Sequence, residues 1–259
     1  MRPYNKPFIQ HHRPKKNLLI AGISAVIEAM QSGQHLERIY LLSTLNSPEA
    51  EQLQLVAEKY GAPVNKVPFE KLRNFNIENH HGCIALKSKI RYQELQDVIS
   101  LVVESGEVPL LLILDGITDI RNIGAIARTA YCCGVHAIVI PEKGVGALNE
   151  DAIATSSGAL EHISVCRVKS LLSAIDEMHL NGIKVFASDM KADANVFNIN
   201  LKEPCAVIMG SEDKGVQPLL YKACDNQFKI PMQKDFESLN VSVAAGMILY
   251  EVMKQRINI

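Results

Sequence analysis

The chain reads as an α/β protein built on a parallel sheet with helices on both faces. Apolar runs of strand length recur without alternation at 109–115 (PLLLILD), 136–140 (HAIVI), 183–188 (IKVFAS) and 205–210 (CAVIMG), the pattern of strands buried on both sides. Helical segments fall between most of these runs, as right-handed parallel crossovers require. Two strand ends, at Gly210 and at Pro231-Met232, lie only some twenty residues apart. Strand ends that face a common crevice are where open α/β sheets bind ligands, so one small-molecule site is expected there.

From Leu18 the residues Ile23, Val26, Ile27 and Met30 have helical spacing, which stops at Gly33. A strand at 37–42 follows, then a helix whose Leu53, Val56, Ala57 and Tyr60 share a face before Gly61. Strands at 64–67 and 83–86 complete a first α/β unit, 17–90. The charged stretch KSKIRYQ, poor in core candidates, marks a boundary near 87–92. Residues 91–107 are expected to form a linker and a leading helix (94–104), and 108–259 the second unit. Its strands are expected at 109–115, 136–140, 162–165, 183–188, 205–210 and 227–230, and its last helix opens at Ser238.

Apolar content of 47% with 21% charge is ordinary for a globular protein, and a net charge of −1 gives no overall pull towards nucleic acid. The exception is local. Residues 1–16 carry Arg2, Lys6, Arg13, Lys15 and Lys16 and no acid, and read as a flexible basic arm that either touches RNA or is simply solvated. Six cysteines show no C-x-x-C spacing and the histidines no i, i+4 helical pair, so neither a metal nor a disulfide framework is expected. The longest apolar run, 108–114, is far too short to cross a bilayer. With no signal peptide visible, a cytoplasmic protein is expected.

Three constellations carry chemistry. In DGITDIRNIGAIARTAYCCG a buried strand ends at Asp115. Asn122 sits where a helix cap belongs, and Arg128 projects from the edge of the packing face formed by Ile123, Ile126, Ala127 and Ala130. In GSEDKG the glycines at 210 and 215 let the backbone approach a ligand, with Glu212 as acceptor or charge partner. Neither a P-loop nor a G-x-G-x-x-G fingerprint is present, which sets aside a nucleotide-dependent oxidoreductase. In the turn Ser238-Leu239-Asn240, Ser238 can cap the helix that follows. That helix, VSVAAGMILYEVM, is apolar nearly all round, so a second protomer is expected to cover it.

Taken in order, N-x5-R, G-S-E-x-x-G and I-P-M…S-L-N-V-S-V-A resemble the SpoU (TrmH) family of RNA ribose methyltransferases, of the SPOUT class. GISAVIEAM and HHGCIA in the first unit are similar to that family's substrate-binding domain, with His81 standing where glutamine is usual. The resemblance implies a SPOUT-type parallel sheet with a deep trefoil knot, preceded by a small L30e-like α/β domain. It implies S-adenosyl-L-methionine as cofactor, held at Gly210, Ile230, Met232 and Leu239, and no metal. It also implies Asn122, Arg128, Glu212, Ser238 and Asn240 as the catalytic set, with Arg128 acting on the ribose hydroxyl and Glu212 orienting Arg128 or a ribose. The expected substrate is a guanosine ribose of 23S ribosomal RNA, methylated at its 2′-hydroxyl by a homodimer. The basic arm, with Lys87, Lys89 and Arg91, is expected to meet phosphates. Transfer RNA or another ribosomal nucleotide is the alternative substrate. A catalytically silent RNA-binding or ribosome-assembly protein is the alternative function.

Overall fold

The computed structural model describes residues 18–146, 148–234 and 238–257; the basic arm, 1–16, lies outside them. Contacts divide the chain into two compact units, one ending at Lys87 and one beginning at Ser88.

The first unit runs β1 (Leu19–Ala21), α1 (Ile23–Gln31), β2 (Leu36–Leu42), α2 (Pro48–Lys59), β3 (Val64–Val67), α3 (Phe69–Arg73) and β4 (Cys83–Lys87). Its sheet has the order β1-β4-β2-β3, with β4 antiparallel to both its neighbours and β2 parallel to β3. The helical pattern expected from Leu18 starts only at Ile23. Residues 19–21 pair with Ile84, Ala85 and Leu86, and the chain turns at Gly22, whose φ of 91° is open to glycine. Helix α2 opens as its sequence demands: the Ser47 side chain accepts from Ala50 N, Pro48 occupies the first turn, and Glu49 and Glu51 face the positive end of the dipole. Val26, Met30, Ile39, Leu41, Leu53 and Ala57 form the core of this unit.

The second unit runs β5 (Tyr92–Gln93), α4 (Leu95–Glu104), β6 (Leu110–Leu114), α5 (Ile120–Cys132), β7 (Ala137–Pro141), α6 (Glu150–Thr155), β8 (Ser164–Val168), α7 (Leu171–Leu180), β9 (Lys184–Ser188), β10 (Cys205–Met209), α8 (Pro218–Ala223), β11 (Asn226–Phe228) and α9 (Val241–Arg256). All its strand pairs are parallel, in the order β11-β9-β10-β6-β7-β8-β5. Residues 91–107 are built into this unit, since β5 adds to β8 and α4 packs Leu95, Val98 and Ile99 onto the sheet.

Central strand β6 shows why unbroken apolar runs mark such strands. Leu110, Leu112 and Leu114 enter the layer covered by α5, α6 and α9, while Leu111 and Ile113 enter the layer covered by α4, α7 and α8. None of the five is more than 1% exposed. Each such side chain contributes about 1.5–3 kcal/mol on burial, so a polar residue on either face would be costly.

Two strands fall elsewhere than expected. Strand β8 begins at Ser164 rather than at 162, because a 3-10 turn over Ala159–Glu161 leaves His162 helical. Strand β11 ends at Phe228, and beyond it Lys229 makes only an isolated bridge to Asn195. The far end of α9 is tied down by its own polar residues. The Arg256 guanidinium donates to the carbonyls of Val108, Pro109, Leu201 and Glu203, and Gln255 Nε2 donates to Ile199 O. Among the described residues no helix is long and apolar enough to cross a membrane.

Candidate active site

Register brings the site together. Leu114 pairs with Met209, so the loops leaving β6 and β10 emerge side by side, and Asp115 N donates to Met209 O at 2.9 Å. Asp115 is buried, and its carboxylate is met by Gln217: backbone N to Oδ2 at 2.7 Å and Nε2 to Oδ1 at 2.6 Å. A buried carboxylate needs such donors.

The loop after β10 folds back on itself. Gly215 N donates to Ser211 O at 2.8 Å, and Gly215 turns with φ 65°. A Cβ on Gly210 would lie 2.1 Å from the Gly215 carbonyl carbon, so no other residue fits without moving the loop. That close approach presents Ser211 and Glu212 at the mouth of the crevice.

Glu212 is the junction of three elements. Its Oε1 accepts from Asn122 Nδ2 at 3.1 Å, from Asn240 Nδ2 at 2.9 Å and from Val241 N at 3.3 Å, and Asn240 Nδ2 also lies 3.1 Å from Asn122 Oδ1. Two expected caps are thereby corrected. Helix α5 is capped by Asp119, whose Oδ1 accepts from Arg121 N at 2.8 Å; Asn122 lies inside the first turn and is free to reach Glu212. Helix α9 is capped by Asn240, whose Oδ1 accepts from Ser242 N at 2.9 Å, so Ser238 lies outside the helix. Both replacements are Asx residues, which satisfy the first-turn N–H groups as well as Asn122 or Ser238 would. Hydrogen bonds from Arg121 hold the Asp119 carboxyl below its ordinary range.

Arg128 does not join this cluster. It is exposed and, among the described residues, makes no hydrogen bond or ion pair. Six residues beyond Asn122 it stands roughly 9 Å further along α5 and on another face. Within one chain Glu212 therefore holds the two asparagines and is not hydrogen-bonded to Arg128.

Two cavities meet at Glu212. One, of about 250 Å³, is lined by all four expected cofactor positions, Gly210, Ile230, Met232 and Leu239, and by Ser238. The other, of about 590 Å³, is lined by Asp115, Ile117, Thr118, Asn122, Asp213 and Lys214. Ser211, Glu212, Gly215 and Val241 line both. Asp189, Met190 and Lys191, just past β9, also line the smaller cavity and were not anticipated. The signal was present: β9 is a parallel strand beside β10, so its carboxyl end faces the same crevice.

Among the described residues no group of three or more His, Cys, Asp or Glu side chains could hold a metal. All six cysteines are free, and burial pushes the Cys83, Cys166 and Cys224 thiols up to about 12. Of the basic residues expected to meet phosphate, Lys89 is paired with Glu150 at 2.7 Å, while Arg91 is exposed.

The model of the SpoU rRNA Methylase family matches residues 109–250, and that for RNA 2′-O ribose methyltransferase substrate binding matches residues 19–93. YacO of Bacillus subtilis (strain 168), which carries the name of a TrmH family tRNA/rRNA methyltransferase, is 37% identical over 92% of this chain and 95% of its own. The crystal structure of the SpoU methyltransferase AviRb from Streptomyces viridochromogenes, in complex with AdoMet, superimposes with a TM-score of 0.60 at 22% identity, covering 93% of this chain and 90% of AviRb. The crystal structure of an RNA 2′-O ribose methyltransferase gives 0.53 at 25% identity, covering 92% and 88%.

Proposed function

We propose that this chain, which belongs to the SpoU rRNA methylase family and is an S-adenosylmethionine-dependent RNA methyltransferase, transfers its methyl group to a ribose 2′-hydroxyl, that of a guanosine in 23S ribosomal RNA. The observation that carries the reading is the junction at Glu212, where a cavity lined by Gly210, Ile230, Met232 and Leu239 opens beside Asn122.

The residues fit the cofactor. Ile230, Met232, Leu239 and Ala244 offer apolar walls to an adenosine, and the half-buried peptide at Gly210, which has no side chain, offers backbone groups to it. Bound S-adenosylmethionine supplies a methyl group on a sulfonium, already activated for transfer. The chain must therefore align an oxygen with that carbon and manage one proton. The carbon–sulfur bond breaks as the carbon–oxygen bond forms, and the hydroxyl proton leaves. A guanidinium stays charged up to pH ~12, so Arg128, which stands apart from Glu212 within one chain, serves in the proposed dimer as a fixed cation that stabilises the developing alkoxide at the second copy's site, while a neighbouring RNA phosphate takes the proton. Asn122, Glu212 and Asn240 hold the two loops and the start of α9 in one arrangement; Ser238 completes the wall of the cofactor cavity.

The enzyme works as a homodimer. Val243, Met247 and Tyr250, one stripe of α9, are about half exposed on the single chain, and an apolar stripe of that kind fits a second copy. The family likeness carries the trefoil knot and the L30e-like character of the first unit. Six free thiols fit a reducing cytoplasm. The name borne by YacO spans tRNA and rRNA, so both are in the test.

Purified protein is incubated with labelled S-adenosylmethionine and unmodified 23S, 16S and transfer RNAs, with Arg128→Ala as control. Label at a ribose of 23S RNA alone, lost in the variant with cofactor affinity intact, is the expected result. Label in transfer RNA instead would move the substrate. Absence of cofactor binding would leave a silent RNA-binding scaffold.

A further inference from the structure

The larger cavity has no part in holding the expected cofactor positions: Gly210, Ile230, Met232 and Leu239 all line the smaller one. It nonetheless shares Ser211, Glu212, Gly215 and Val241 with it, so whatever occupies it abuts the reacting end of the site. At about 590 Å³ it lies within the ~300–1,000 Å³ range of small-molecule sites.

Its charge says which part of a nucleotide it accepts. Glu212 and Asp213 face it with Lys214 as the single cation among the lining residues, while the Asp115 carboxylate is already taken by Gln217 and that of Asp119 by Arg121. A phosphate would be repelled there. The side chains of Thr118 and Asp213 make no hydrogen bond among the described residues, so both remain available. A carboxylate accepts and never donates. The complementary group is neutral and carries N–H donors along one edge. Guanine, with N1–H and an exocyclic amine side by side, offers two; uracil offers one.

We infer that this cavity holds the base of the target nucleotide, turned out of its strand, with its donor edge towards Asp213 and Thr118, its ribose at Glu212 and its phosphates outside. Extruded nucleotides are commonly read at that edge. The inference rests on the methyltransferase reading above and deepens it, making Thr118 and Asp213 the residues that select the base.

The test follows the isoleucine methyl signals of the full chain by NMR. Ile117 lines only the larger cavity and Ile230 only the smaller. With the smaller cavity filled by S-adenosylhomocysteine, guanosine is expected to shift Ile117 saturably and leave Ile230 in place, with uridine weaker. Thr118→Phe, which puts a ring where the base is proposed to lie, is expected to weaken guanosine at least tenfold. Asp213→Ala, a change on an exposed loop that leaves folding intact, is expected to weaken it at least threefold. An unmoved Ile117, or an undiminished response in both variants, would overturn the base site. S-adenosylhomocysteine that fails to shift Ile230 strikes the methyltransferase reading instead, and the guanosine titration of Ile117 still reads the cavity.

Discussion

Gln217 grips Asp115 with two hydrogen bonds, its backbone N at 2.7 Å from Oδ2 and its Nε2 at 2.6 Å from Oδ1. One buried carboxylate thereby locks the loop after β6 to the loop after β10, the two loops that frame the site. Gln217→Ala removes the side-chain donor and leaves one carboxylate oxygen buried without a partner. The expected loss is about 1–3 kcal/mol of stability, read as a lower urea midpoint with an unchanged slope. An unaltered midpoint would show that water replaces the amide at no cost.

Gly210→Ala places a methyl group 2.1 Å from the Gly215 carbonyl carbon, so the loop must shift. Cofactor affinity, measured by calorimetry, is expected to fall at least tenfold, which is about 1.4 kcal/mol. Far-ultraviolet circular dichroism should stay as in the parent, because Gly210 lies past the end of β10. Undiminished affinity would mean that the loop does not shape the cofactor cavity.

Two substitutions at Glu212 separate its charge from its geometry. Glu212→Gln keeps an acceptor for Asn122, Asn240 and Val241 N, so stability should change by less than about 1 kcal/mol. Turnover should nevertheless fall by about a hundredfold or more if the charge serves the transition state. Glu212→Ala orphans Asn122 Nδ2 and Val241 N, leaves Asn240 Nδ2 only Asn122 Oδ1, and should lower both. Equal activity of Glu212→Gln and the parent would confine Glu212 to a structural role.

Met247 lies at the centre of the exposed α9 stripe, between Val243 and Tyr250. Met247→Glu puts a charge where the second copy is proposed to pack. Light scattering after size exclusion should report a dimer for the parent and a monomer for the variant. A monomeric parent would dispose of the homodimer.

Buried thiols predict alkaline weakening. Cys83 and Cys166 are fully buried, and desolvation raises each from 9.0 to about 12. Their contribution is fully present below pH ~9 and is lost as pH rises towards 12, because the unfolded thiol ionises first. Each should cost about 1 kcal/mol per pH unit in that window. Urea midpoints at pH 8, 9.5 and 10.5 should fall less steeply for Cys166→Ala than for the parent. Parallel slopes would show that the native thiol ionises normally.

Much of the fold is legible along the chain. Strands β6 and β10 fall within a residue of their expected ends, because an unbroken apolar run has one stable place, the middle of a covered parallel sheet. Strands β1 and β5, of three and two residues, and helices α3, α6 and α8, of five or six, do not announce themselves. Such segments complete too few periods to be told from turns.

The residues Gly210, Ile230, Met232 and Leu239, which line the smaller cavity, stand in the motifs that carry the family resemblance. The division of labour among the polar ones is not written there. Asp119 and Asn122 are equally good caps, as are Ser238 and Asn240, and local chemistry cannot choose between them. The pairing of Leu114 with Met209 sets the loops after β6 and β10 side by side, and in that arrangement Asn122 and Asn240 are the amides that reach Glu212. So the sequence by itself determined the α/β alternation, the strands of the core and the loops that carry the site. These follow from side-chain period and burial, which act over a few neighbouring residues. Only the tertiary structure decided that Glu212 binds Asn122 and Asn240, that Arg128 stands apart, and that two cavities share one wall. Those relationships join residues distant in the chain, brought together where β6 pairs with β10 and the start of α9 meets their loops, which no pattern over a few neighbouring residues encodes.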